Sequence, residues 1–110
     1  MIPHFDPPFT AEKIRDGGSL ALCFQSAGQS FWLFFPIVHQ YPHNGEQYRS
    51  PLVINRTLNQ EEPISWENAA SWLSRALEEL TDDSSRKWAA IMLEVAQHQG
   101  HYPKELPPYI

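Results

Sequence analysis

The chain is poor in several features that would narrow its function. It has a single cysteine, Cys23, so no internal disulfide can staple it. It has only five glycines, and none builds a phosphate cradle. Gly17-Gly18 precedes an apolar run and lacks the later glycines and lysine of such a loop, and Gly28, within Ser26-Ala27-Gly28-Gln29-Ser30, resembles neither a P-loop nor a nucleophile elbow. Long apolar runs are missing too. The longest, Phe31 to Val38, is eight residues and contains Pro36, whereas a helical membrane span needs about 20. The opening residues, Met1-Ile2-Pro3-His4-Phe5-Asp6-Pro7-Pro8, carry no secretory signal pattern, so the expected location is the cytoplasm. Positive charge is scarce. Eight Lys and Arg stand against thirteen Asp and Glu, for a net charge of −5. That balance argues against nucleic acid and against an anionic membrane as partners.

What is present is a chain of 110 residues, 42% hydrophobic, with four Trp and six Phe. That is enough apolar and aromatic material for one core. No repeat or long linker divides it, so residues 1–110 are expected to form a single α+β domain, with ten prolines concentrated in extended termini and loops. The pattern predicts a short helix over residues 10–16, capped by Thr10 and ended by Gly17-Gly18. A strand follows, with Leu20, Leu22 and Phe24 on one face and Ala21 and Cys23 on the other. After a hairpin connection around Gly28 comes a second strand, Phe31, Trp32, Leu33, Phe34 and Phe35, apolar on both faces. Pro36 should end its regular pairing. Residues 40–50 read as a loop, and Leu52, Val53 and Ile54 as a short third strand.

The C-terminal half reads as a helical hairpin. Ser65 is a natural N-cap, and Trp66, Ala69, Ala70, Leu73, Ala76, Leu77 and Leu80 form a stripe at the helical period. Residues 81–85 interrupt it. Trp88, Ala89, Ile91, Met92, Leu93, Val95 and Ala96 then define a second, more deeply buried helix, with Gly100 at its C′ position. The fold class is therefore α+β, a small antiparallel sheet (hairpin plus short third strand) packed against a C-terminal helical hairpin. One face of the aromatic strand must meet the helices. The other needs a cover, and the residues from Pro3 to Phe9 are the expected one.

Catalytic and metal-binding patterns do not assemble. His39 and His43 are four apart and His98 and His101 three apart, but Pro42 and Gly100 break any helix that would align them. Cys23 has only Leu22 and Phe24 beside it, so nothing local lowers its pKa. No catalytic residue, metal or cofactor is assigned. An alternative is a small enzyme or ligand-binding domain with a site between sheet and helices, using His39, His43 or Cys23. Another is an accessory subunit of an assembly.

Charge is the remaining signal. Residues 1–60 are neutral, and the entire −5 lies in residues 61–110, where nine acids face four basic residues. Glu61, Glu62, Glu67, Glu78, Glu79, Asp82 and Asp83 gather around the first helix and its following turn. The features suit a small acidic protein-binding module, an inhibitor or immunity-type protein that neutralises a basic partner, with those seven acids as its partner surface and electrostatic steering as its means. Self-association through the strand of Phe31 to Phe35 is a further expectation.

Overall fold

In the computed structural model the structure is described for residues 4–14, 18–41 and 45–102, and side chains for all of these except 39–41, 45 and 46. Eight strands and two helices follow one another: β1 (Asp6–Lys13), β2 (Leu20–Ser26), β3 (Gln29–Phe35), β4 (Ile37–Tyr41), β5 (Gly45–Tyr48), β6 (Leu52–Asn55), β7 (Gln60–Pro63), α1 (Trp66–Glu79), α2 (Asp83–Gln97) and β8 (His101–Tyr102). A five-stranded antiparallel sheet has the order β1-β2-β3-β6-β7, and a three-stranded one the order β4-β5-β8. The two helices pack on one face of the larger sheet. This is the expected α+β architecture, with more strands than the sequence suggested.

The sheet grows from the β2–β3 hairpin. Ala27 and Gly28 both adopt positive φ, 51° and 75°, the conformation that lets a two-residue turn follow the strand twist. The resulting register pairs Leu20 with Phe35, Leu22 with Leu33 and Phe24 with Phe31 on the helix-facing side. These side chains, with Ala11, Val53 and the helix residues, make the core. Pro36 ends β3 as expected, and the chain then turns into the second sheet. That turn is held by Ile37 N–H donating to Ser19 Oγ at 3.1 Å and Arg49 N–H donating to the Pro36 carbonyl at 2.8 Å.

Four local expectations are corrected. Residues 10–13 belong to β1, not to a short helix: Thr10 lies opposite Cys23 and Ala11 opposite Leu22. An alternation of exposed Thr10 and Glu12 with buried Ala11 supplies the paired edge that β2 otherwise lacks, and that pairing outweighs a weak capping signal. The segment expected to cover the outer sheet face lies on the inner one. Phe5 is fully buried, edge-on to Phe24 at 4.9 Å, and Phe9 packs on Phe5 at 5.8 Å. Residues 40–50 are largely strand, with β4 pairing β5; Pro42, His43 and Asn44 lie outside the described residues. Finally, Glu61 and Glu62 sit in a strand. The Asn55 side chain accepts from the N–H groups of Thr57 and Leu58, both at 3.0 Å, and folds the chain back from β6 into β7.

The helical hairpin follows its pattern closely. Ser65 caps α1 by accepting from Asn68 N–H at 3.1 Å, and Ala69, Leu73 and Ala76 are buried. Trp72, outside the predicted stripe, also reaches the sheet, edge-on to Phe24 at 5.6 Å. The break is shorter than expected. Asp82 caps α2 through Ser85 N–H at 2.8 Å, so Asp83, Ser84 and Ser85 already belong to the helix. The last turn of α1 has no basic residue of its own. Arg86, from α2, donates instead to the carbonyls of Leu77 and Leu80, satisfying acceptors that a helix end leaves open. At the end of α2 the C′ residue is Gln99, at φ 54°, one position earlier than the predicted Gly100, which follows at φ 96°. Gln99 N–H bonds Ala96 O at 3.1 Å and Gly100 N–H bonds Val95 O at 2.9 Å, the Schellman pattern.

Trp88 is 5% exposed, so Trp88→Ala should cost about 3–5 kcal/mol in chemical denaturation, with a smaller loss for half-buried Trp66→Ala. Gly100 is a sharper probe. A Cβ there would stand 2.8 Å from both the Trp66 ring and the Tyr48 carbonyl, at φ +96°, whereas at Gly28 it would meet nothing. Gly28→Ala should therefore cost only backbone strain, about 1–2 kcal/mol, and Gly100→Ala clearly more, as two denaturant melts will compare.

Candidate protein-binding surface

The same register that fills the core sets up the opposite face of the large sheet. Two cross-strand rows run over it. One passes from Thr10 through Cys23, Trp32 and Ile54 to Glu61, and the other from Glu12 through Ala21, Phe34 and Leu52 to Pro63. Trp32, Phe34, Leu52 and Ile54 occupy the middle. All four are half-buried, and none belongs to the core cluster or packs against it. Trp32 and Phe34 touch at 6.4 Å between ring centroids, and the Arg56 guanidinium lies over Trp32 at 4.2 Å. The face thus has an apolar, aromatic centre, an arginine at one end and an acid on each flanking strand. An aromatic centre within a polar rim is the anatomy of protein interfaces.

The predicted acidic residues are spread over β7, α1, the α1–α2 turn and the start of α2. Glu61 and Glu62 lie on the edge strand β7 and are exposed. Glu67 is in the first turn of α1 and Asp83 in that of α2, where each favours the positive end of its helix. Glu78 and Glu79 share Arg75, at 3.6 and 3.7 Å. Asp82 is the α2 cap, and its hydrogen bonds from Ser85 hold its carboxyl below the usual range. Glu67 is separated from Glu78 by three turns of helix, roughly 16 Å at 1.5 Å per residue. Sequence patterning grouped these acids by proximity in the chain; it missed the aromatic face they partly border because the extra strands β1 and β7 were not read.

The site proposed between sheet and helices does not contain Cys23, which lies on the outer face beside Trp32. Burial, and next Glu12, whose Oε1 accepts from Cys23 Sγ at 3.7 Å, push the thiol up to about 12. Such a cysteine is a small packing residue and a poor nucleophile at neutral pH. His39 is part of β4, its side chain not described, and His43 lies outside the described residues. Among the described residues no group of three His, Cys, Asp or Glu could hold a metal ion. A groove of about 600 Å³ runs between the start of β1 and the α1–α2 turn. Its carboxylates, Glu79 and Asp82, are engaged with Arg75 and Ser85. No described helix is long and apolar enough to cross a membrane.

No protein-family model, curated protein or solved structure matches the chain. The surface itself carries the argument.

The Cys23 thiol gives a pH test. Its ordinary value is 9.0 and its folded value about 12, so above pH 9 the unfolded chain releases this proton more readily than the folded one. Stability is unaffected by this group below about pH 9 and should fall as pH rises from there towards 12. Melts of Cys23→Ala against the parent chain over that window should show the difference, and thiol alkylation at pH 8 should be slow until the chain is unfolded.

Proposed function

We propose that the chain is a protein-binding module, an inhibitor or immunity-type protein that holds a basic partner on the outer face of its five-stranded sheet. The observation that carries this reading is the pair of apolar rows centred on Trp32 and Phe34 and bordered by Glu12 and Glu61. The parts of Trp32 and Phe34 that stay in contact with water are apolar, and such aromatics are typical binding anchors once a partner desolvates them. The acids at the margins, with Glu62 beside them and the helical acids further off, set a negative field that favours a basic partner and speeds its approach. Strand addition is the less suitable route. The β7 edge is short, charged and ends in Pro63, and Pro7 and Pro8 lie on β1 at the other edge, features that blunt sheet edges.

The test uses the intact chain as bait in a lysate of its host, followed by rate measurements on the captured protein. Trp32→Ser with Phe34→Ser should keep the helix content and a cooperative melt, at a lower midpoint because both side chains are half-buried, while abolishing capture. Glu61→Lys with Glu62→Lys should slow association by about tenfold at low salt, with the difference shrinking as salt rises. Capture that survives the aromatic double variant overturns the reading. Sizing of the free chain tests whether a second copy occupies the face instead: a dimer dispersed by the aromatic substitutions would point to self-association.

A further inference from the structure

The seven acids differ in what they do for the fold. Five have a role within it: Glu67 and Asp83 at helix starts, Asp82 as a cap, Glu78 and Glu79 around Arg75. The side chains of Glu61 and Glu62 make no ion pair or hydrogen bond among the described residues. Beside them is a slot of about 310 Å³, lined by Phe31, Val53, Asn55, Gln60, Glu61 and Glu62. That is the small end of ligand-sized pockets, roughly 300–1,000 Å³. It lies where the helix-facing side of the sheet runs out from under the helices. Alternation along β7 turns Gln60 and Glu62 to that side, opposite Asn55 and Val53.

We infer that this slot takes an arginine side chain presented by the basic partner, an inference that rests on the binding reading above. Phe31 and Val53 provide an apolar floor for the aliphatic stem and a ring against which a guanidinium plane can lie. Glu62 meets the guanidinium fork, Glu61 stands at the mouth, and Gln60 offers an amide oxygen. A lysine ammonium, a point charge without the planar fork, fits this combination less well. Arg56, the residue after Asn55, is committed elsewhere and lies over Trp32 on the opposite face. The walls are set in advance. Phe31 stacks on Phe24 at 5.4 Å, and Asn55 donates to Gln29 Oε1 at 2.9 Å while accepting from Thr57 and Leu58. A site that needs little ordering loses less affinity on binding.

The experiment is a titration of the isotope-labelled full chain with N-acetyl-arginine amide, followed through backbone amide shifts. Its lysine and citrulline counterparts serve as controls. The arginine probe should give saturable shifts centred on Phe31, Val53, Asn55 and residues 60–62, with millimolar affinity, a scale of about −4 kcal/mol. Citrulline, equal in shape but uncharged, should give none that saturate, and lysine should bind several-fold more weakly. Glu62→Gln, at an exposed strand position, should keep the fold by its amide spectrum and weaken the arginine probe by about tenfold. Shifts spread evenly over the acids of both helices without saturation, equal binding of citrulline, or an unaltered titration in Glu62→Gln would each overturn the slot. No partner enters this titration, so its failure removes the slot alone, and the outer-face reading is decided separately by the Trp32 and Phe34 variants.

Discussion

Seven consecutive residue pairs lock β2 to β3, from Leu20 opposite Phe35 to Ser26 opposite Gln29, and the sorting of side chains across the whole sheet follows from that register. The strand pair is unusual in being apolar on both sides, so hydrophobicity alone does not say which face should be buried. The turn does. With Ala27 and Gly28 both at positive φ, the loop admits two residues and no more. A slip of one residue would exchange the faces of β3 relative to its neighbours. Trp32 and Phe34 would then be driven under the helices, where Leu33 and Phe35 are fully buried. Core and outer aromatic face are therefore two consequences of a single hairpin geometry.

The helix layer is tied to the sheets at one end and closed on itself at the other. At one end Trp66, the first residue of α1, meets Phe35 edge-on at 5.0 Å, and the Gly100 backbone lies close against the Trp66 ring. Tyr48 N–H donates to the Gly100 carbonyl at 2.7 Å and ties the small sheet to the same corner. At the other end, Arg86 holds the carbonyl terminus of α1 and Asp82 the amide terminus of α2. Val53 of β6 still belongs to the core, but no helix residue lines the slot beside β7, so one edge strand borders the outer aromatic face on one side and the slot behind Glu62 on the other.

Legibility from sequence followed the strength of the local physical signal. The helices have a stripe of period 3.6 over more than three turns and side-chain caps, and Ser65 and the break after Leu80 fall within a residue or two of expectation. The β2–β3 hairpin was readable from alternation and Gly28. The elements that were missed lack a signal of their own. The β7 segment Gln60-Glu61-Glu62-Pro63 is polar, short and ends in proline; it is a strand because Asn55 folds the chain back beside Val53 and Ile54. The β1 strand was hidden by two prolines and a register shift between Asp6 and Thr10. Both missed strands of the large sheet are edges, stabilised by the neighbour they complete, which is tertiary information. The candidate face was lost with them, since its acidic margins lie on those two strands.

Charge placement closes the argument about the surface. A solubilising acidic coat needs no particular geometry, and the acids of the helices can be understood locally through caps, helix starts and Arg75. Glu61 and Glu62 have no such local account. The Glu61 and Glu62 side chains leave β7 on opposite faces of the sheet, and neither has an ion-pair or hydrogen-bond partner among the described residues. Keeping an edge from recruiting other strands explains a charge there, and Pro63 already serves that end. What edge protection does not require is an apolar floor of Phe31 and Val53 behind one carboxylate, or a row through Trp32 and Ile54 leading to the other. On the binding reading proposed above, Glu61 would meet a cationic partner at the margin of the outer face and Glu62 at the slot, so an edge strand with no core residue of its own would serve both sides of the sheet.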